Sequence, residues 1–307
     1  MEASSKDIVS VIIPSFNHGH FLSDAIVSVK QQTYPYTEII VIDDGSSDNT
    51  KEVAQSFADV VYVFQHNQGL SAARNKGLSV STGNFLVFLD ADDLLLPDAL
   101  QTNLWHLKQD ESAGMVAGAF MIVYTSTSKE KLVTREHYNF DYKNLLFKNL
   151  IGVPGSAMHP RWVFNSFIFD IELTNCEEWD LYLKISRRHK ILYHPTPVVK
   201  YRKHGTNKSS NLPVMLESGL TVLKNQRKEL KNKSEFKIYR KAIRRWKNSY
   251  TAKIYFQLIK GVINKEMIPI LKNKLLKYNK WLFIKFRLKS LLKNLSITNY
   301  NYSSNKK

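Results

Sequence analysis

Cysteine is almost absent from this 307-residue chain. Cys176 stands alone, which excludes an intramolecular disulfide framework and any multi-cysteine metal site. A lone thiol suits a reducing compartment. Long apolar runs are also missing. No stretch approaches the roughly 20 continuous apolar residues needed to cross a bilayer. The first seven residues are polar, and the apolar run at 8–14 is too short for the core of a secretory signal. The expectation is a soluble or peripheral protein, cytoplasmic and at most attached to the inner face of a membrane. No G-x-G-x-x-G follows the first apolar run, which disfavours a dinucleotide-binding oxidoreductase. Acidic residues are scarce in one region only. Residues 215–307 hold 24 Lys or Arg against 4 Asp or Glu, a net +20, and the whole chain carries +17. Residues 1–214 are therefore close to neutral, at −3, and the two regions need separate explanations.

What is present begins with alternation. Short β-branched or apolar runs at 8–13, 38–42, 60–64, 85–89 and 115–124 read as strands. Helical spacing between the first of them, at 21–32, about 48–57 and 70–81, gives β-α-β-α-β-α-β. That order predicts an α/β fold with a mostly parallel central sheet and helices on both faces. Pro97 is expected at the first position of a further helix. Residues 125–214 are less periodic, apart from a helix expected at 175–188. Beyond 212 the chain reads as helical and basic, with Phe236, Tyr239, Ile243, Trp246, Tyr250 and Ile254 on one stripe. Pro269 is expected to separate it from a second basic apolar segment at 270–295, before a polar end at 296–307. The expected domains are 1–214 and a helical basic extension, 215–307.

In open parallel sheets ligands sit beyond the carboxyl ends of the strands. Three polar clusters fall there: Ser15-Phe16-Asn17, Asp43-Asp44-Gly45-Ser46 and Asp90-Ala91-Asp92-Asp93. Asp90 and Asp92 at a strand end suit a divalent cation such as Mg²⁺ or Mn²⁺, shared with phosphate. The plainer alternative is that Asp92 or Asp93 caps the helix before Pro97. Asp44 could accept the N–H of a nucleobase on which Phe16 stacks, or could be an ordinary turn residue. Gly69 at a helix start and Arg74 suit phosphate, although an arginine there is equally a solvated helix face. Glu177, Glu178 and Asp180 could serve only the helix N-terminus.

Five segments, "VSVIIPSFNHGHFLSDAIVSVKQQTYPYTEIIVIDDGSSDNT", "NQGLSAARNKGL", "FLVFLDADD", "CEEWDLYLKI" and "YRKHGTNKSS", resemble in order the motifs of the family 2 inverting glycosyltransferases, which have the GT-A fold. The resemblance runs from about residue 9 to 210 and does not cover the tail. It implies that Pro14, Phe16 and Asp44 line a nucleobase pocket and that Asn17, Gly69, Arg74 and Arg202 lie near the nucleotide. It implies Asp92 as direct metal ligand, with Asp90 toward the ribose or a metal-bound water and His204 closing the metal and diphosphate site. The catalytic base falls at Glu178, where the family more often has aspartate. Gly155, Ser156, Glu177 and Trp179 are expected at the sugar or acceptor site. The donor implied is a nucleotide-sugar, UDP-linked as the best guess, with Mn²⁺ or Mg²⁺ as cofactor. The acceptor would be a carbohydrate or lipid-linked hydroxyl in surface polysaccharide or glycoconjugate synthesis. A nucleotidyltransferase and a non-catalytic nucleotide-sugar binding protein are the alternatives. For 215–307, attachment to an anionic membrane surface is favoured over a solvated bundle, and no motif supports nucleic acid.

Overall fold

The structure, a computed structural model, describes residues 7–261 and 264–291. They fall into two compact units that divide between Asn207 and Lys208. The last five residues of the expected 270–295 segment are not all described, and the polar end at 296–307 lies outside the described residues.

The first unit is built on one sheet. Strands β1 (Val9–Ser15), β2 (Thr37–Asp43), β3 (Val60–Phe64) and β4 (Phe85–Phe88) lie in the order β3-β2-β1-β4, all parallel. Helices α1 (Gly19–Lys30), α2 (Thr50–Gln55) and α3 (Leu70–Val80) make the connections. Strand β1 is central and every residue in it is buried. Its side chains alternate between faces, as strand geometry requires. Val9, Val11 and Ile13 join Leu22, Ile26 and Val29 of α1 in one core cluster. Ile12 points the other way, toward α3, where Gly77 leaves no room for a side chain: a Cβ there would stand 2.3 Å from Ile12 Cγ2. Helices thus cover both faces.

The sheet then becomes mixed. Beyond β4 come β8 (Ala157–Pro160), β6 (Met115–Tyr124), β9 (Ile191–Lys203) and β5 (Leu94–Leu95), with β7 (Lys129–Val133) pairing on β6. Strand β8 (Ala157–Pro160) runs antiparallel to β4 and β6, and β9 (Ile191–Lys203) parallel to β6. These strands lie in the stretch whose periodicity is weak, because β9 mixes buried and exposed positions irregularly and shifts register against β6. Two helix starts need correction. Pro97 does not open a helix: Leu94–Leu95 form β5, antiparallel to β9, and α4 begins at Ala99 and runs to Lys108. Asp98 precedes it without a side-chain cap. Helix α5 is Tyr142–Phe147, and the helix expected at 175–188 is α6, Glu177–Ser186.

The second unit is helical: α7 (Leu212–Gln226), α8 (Lys233–Lys260), α9 (Met267–Tyr278) and a further helix at 280–291. Leu216, Ile254, Leu258, Leu271, Leu275 and Phe286 form its core. The predicted stripe lies on α8, although Phe236 at its start is exposed. Pro269 does not separate two segments. It sits in the first turn of α9, where its missing N–H costs nothing.

Candidate active site

The carboxyl ends of β1 and β2 form one corner of the site. Pro14 and Ser15 are buried in β1, and the ring of Phe16 emerges 43% exposed. Asn17 takes a left-handed conformation, φ 54°. Its Oδ1 accepts the Ser47 N–H at 2.8 Å, and its own N–H donates to Ser46 Oγ at 2.9 Å. Asp43 accepts from Ser46 N–H and from the Tyr62 hydroxyl, both at 2.8 Å. Asp44 is buried. Its Oδ1 accepts from Gln65 Nε2 at 2.7 Å and Gln68 N–H at 2.9 Å, and its Oδ2 from Gly69 N–H at 2.9 Å. This carboxylate therefore fastens the end of β2 to the N-terminus of α3. Gly45, at φ 83°, lets the turn pass close to that segment, since a Cβ would stand 2.9 Å from the Asn67 nitrogen. The turn residue of the sequence reading is thus also a buried charge with one oxygen accepting a single bond.

Beyond β4, Asp90, Asp92 and Asp93 each bring a carboxylate oxygen to within 4.8 Å of the others. Asp92 Oδ2 lies 2.9 Å from His204 Nε2 and accepts from Asn207 Nδ2 at 3.1 Å. The other His204 nitrogen is 2.8 Å from Thr206 Oγ1, and the ring lies against Phe21 with centroids 4.7 Å apart. Asp93 is completely buried. Its Oδ1 accepts the Arg202 N–H at 3.0 Å, while Oδ2 has no hydrogen-bond partner among the described residues. Burial, with Asp92 and Asp90 beside it, pushes the Asp93 carboxyl well above the usual carboxylate range. None of the three caps a helix. Three clustered carboxylates, one with a buried oxygen that has no partner among the described residues, and an imidazole on Asp92 make a hard, oxygen-rich donor set. That chemistry fits Mn²⁺ or Mg²⁺.

The third corner is the head of α6. Cys176, in a left-handed conformation at φ 62°, turns the chain into Glu177 and Glu178. Arg74 is not a solvated helix residue. It is fully buried on α3, donating to Asp90 Oδ1 at 2.8 Å and to Glu177 Oε1 at 2.5 Å. Burial opposes its charge, but Asp90 and Glu177 outweigh that and raise its pKa. One guanidinium thus joins the acidic cluster to the α6 N-terminus. Glu178 is half-buried and unpaired by Arg74. Burial, and next Glu177, push its carboxyl up to about 8.

Several expected residues have other roles. The Arg202 guanidinium is engaged with the protein: it donates to the carbonyl of Asp92, to Asp24 Oδ2 at 2.7 Å and to the Phe21 carbonyl at 3.3 Å, and lies over the Phe21 ring. It clamps the acidic loop to α1. Gly155 is packed against Leu89 and Val199, and buried Ser156 donates to the Val153 carbonyl at 2.7 Å. Trp179 is buried, its indole donating to the Leu145 carbonyl at 2.8 Å. All three positions are occupied in packing within the protein. Glu177 serves Arg74.

The sequence reading missed Asn207 and His18, and named Asp93 in its acidic cluster without giving it a ligand role. Asn207 lies three residues after His204, and its side chain donates to both Asp92 and the Arg202 carbonyl; the shared spacing was its only signal. His18 precedes α1, and Asp92, Asp90 and His204 all act on it electrostatically, though burial is the main cause of its lowered pKa.

With this geometry in place, comparison with known proteins is decisive. Residues 10–169 match the model of the family described as Glycosyl transferase family 2. The chain belongs to that family. It is a glycosyltransferase with the GT-A fold, and Asp90, Asp92 and Asp93 form its DXD-like cluster. It is 30% identical over 210 residues to the UDP-Glc:alpha-D-GlcNAc-diphosphoundecaprenol beta-1,3-glucosyltransferase WfgD of Escherichia coli, spanning 66% of this chain and 80% of that protein. It is also 30% identical over 152 residues to TuaG of Bacillus subtilis, a glycosyltransferase assigned to teichuronic acid biosynthesis. That match spans 48% of this chain and 60% of TuaG. Among solved structures, Staphylococcus aureus TarS 1–349 in complex with UDP-GlcNAc superposes with TM-score 0.64 at 16% identity, over 88% of this chain and 80% of that one. The mannosyltransferase PcManGT of Pyrobaculum calidifontis, in complex with GDP-Man and Mn²⁺, gives 0.60 at 16%, over 94% and 88%. At these identities the structural likeness concerns the fold.

Proposed function

We propose that this glycosyltransferase uses a UDP-sugar and a divalent cation, and transfers the sugar with inversion to a hydroxyl of a lipid-linked or polymeric acceptor in surface polysaccharide synthesis. The observation that carries the reading is the placement of half-buried Glu178, its carboxyl raised to about 8 by burial and Glu177, beside the Arg74-tied acidic cluster. A base is most effective when its pKa lies near the working pH.

In this reading Phe16 stacks on the uracil and Asp44 accepts the ring N–H with the oxygen that has a lone pair to spare. Asp92 and His204 would hold the cation, with Asp90 and Asp93 in the same cluster. The cation would stabilise negative charge on the departing diphosphate. Arg74 keeps Asp90 and the head of α6 in register, and Arg202 and Asn207 fix the acidic loop. Glu178 takes the proton of the acceptor hydroxyl as its oxygen bonds to the anomeric carbon. The bond from that carbon to the diphosphate oxygen breaks on the opposite side, so configuration inverts and a nucleoside diphosphate leaves. The UDP and lipid-linked acceptor of this reading are supported by the names of WfgD and the TarS complexes. They are consistent with work at the cytoplasmic face of a membrane.

A panel of nucleotide sugars with and without Mn²⁺ tests the proposal, read by thermal shift and by NMR of the product's anomeric centre. Stabilisation by UDP-sugars with Mn²⁺, and an inverted product, are expected. Retained configuration overturns the mechanism. Release of pyrophosphate favours a nucleotidyltransferase, and binding without turnover favours a binding protein.

A further inference from the structure

The helix at 280–291 has two apolar faces, and among the described residues only one is packed. Leu282, Phe283 and Phe286 pack on the core of the second unit. On the other side Trp281 is 66% exposed, Ile284 56%, Leu288 58% and Leu291 54%. Their spacing of three, four and three residues sets them within an arc of about 80° on a helix. The same geometry puts Lys285 and Lys289 along one edge of this stripe and Lys280 and Arg287 along the other. The Lys285 ammonium lies 5.0 Å from the Trp281 ring centroid. The segment contains no acidic residue.

Four large exposed apolar side chains in one row are costly in water unless something covers them. We infer that the stripe Trp281-Ile284-Leu288-Leu291 is a docking face for an anionic lipid bilayer, the helix lying in the plane of the surface. Charge selects this occupant. A second copy would bring the same four cations against these four, with no carboxylate to meet them. A nucleic acid would match the cations and leave the aliphatic row uncovered. An anionic bilayer satisfies both: headgroups meet the flanking cations, and the side chains reach the acyl boundary while lysine stems extend back to the phosphates. The assignment goes beyond a generally basic region, because it names the inserting face and requires the opposite one to remain packed. It does not depend on the identity of the donor.

The test is sedimentation of the full chain with vesicles of phosphatidylglycerol and phosphatidylcholine, against phosphatidylcholine alone, at ionic strengths below and well above about 0.1 M. Binding to the mixed vesicles is expected at low salt, weakened at high salt and absent on the neutral ones. Ile284→Gln with Leu288→Gln keeps every charge and should lower partitioning about tenfold or more, the scale of two lost apolar insertions. Because both side chains are exposed, the melting temperature should stay put. Trp105→Gln, an exposed aromatic of the first unit, should bind vesicles as the parent does. Failure of the parent to bind mixed vesicles overturns the inference, as does equal binding to neutral ones. Undiminished binding by the double variant overturns it too. So does a dimer in analytical ultracentrifugation that the same pair disrupts, or retention by duplex DNA in place of vesicles.

Discussion

The two units handle charge in opposite ways. The first, nearly neutral, buries it: Asp44, Asp92, Asp93, Glu177 and Arg74 are all withdrawn from water. Arg74 is offset by Asp90 and Glu177, Asp44 by three N–H donors and Asp92 by His204 and Asn207, because an unpaired buried charge is expensive. Asp93 is instead pushed toward its neutral form. The second unit keeps its many cations outside and leaves apolar side chains there with them. Buried charge needs a fixed geometry and so yields a site for one small ligand. Exposed charge beside exposed apolar surface needs only area, and suits an extended partner. Changes in one unit should then leave the other's behaviour alone: site variants should bind vesicles normally, and stripe variants should bind nucleotide normally.

The sharpest break is expected at Glu178. Glu178→Gln should slow transfer about 10²- to 10⁴-fold with donor affinity unchanged, the usual share of a general base. The pH dependence follows from the sign of the shift. The carboxyl is raised to about 8 and acts only when ionised. The kcat/KM of the parent should therefore rise with pH through that region and level off above it, and the variant's residual rate should lack this limb. A profile already flat from pH 6 would remove Glu178 as the base.

Arg74→Met comes next. It leaves Asp90 and Glu177 facing each other with no cation between them. Breaking such a buried pair costs about 3–5 kcal/mol, to be measured by urea unfolding. A loss under about 1 kcal/mol would mean that the two acids relax to water without disturbing the site. Asp92→Asn should be somewhat milder. It keeps the shape, and His204 and Asn207 can still find an oxygen, but Mn²⁺-dependent UDP affinity should fall about 100-fold in calorimetry. Unchanged affinity would place the cation elsewhere.

How much of this could be read beforehand depended on which force shapes each part. Strands β1, β2 and β4 were legible because burial on both faces forces apolar runs such as Ile39 to Ile42. The site's corners were legible because polar residues at the ends of such runs have few structural reasons to be there. The buried, hydrogen-bonded state of Ser156 and Trp179 was not legible, because lying near motif residues in sequence says nothing about which way a side chain turns. Arg74 and Arg202 could be foreseen as important but not as engaged with carboxylates. Asp90 and Glu177 lie 16 and 103 residues from Arg74, and only the fold makes them neighbours. The stripe on 280–291 was visible as composition, lysines among leucines and aromatics, yet which face packs and which stays open is a tertiary fact.

The smallest effect concerns Asp44, whose two roles can be separated. Its carboxylate accepts three N–H groups from Gln65, Gln68 and Gly69, which holds the entrance to α3. In the proposed function it also accepts the uracil ring N–H, a charge-assisted bond contributing roughly 1.5–3 kcal/mol. Asp44→Asn removes the charge but retains one acceptor oxygen, so UDP affinity should drop about tenfold, with and without metal. Gln65→Leu takes away one of the same loop contacts and leaves the carboxylate intact, so its effect on UDP should be within about twofold. The comparison is made sharper by cytidine diphosphate, whose ring nitrogen accepts rather than donates. An amide at position 44 can offer it an N–H, so Asp44→Asn should narrow the preference for UDP over CDP, and Gln65→Leu should not. Equal losses in the two variants, with the preference unaltered, would mean that Asp44 only shapes the loop and that uracil is recognised elsewhere.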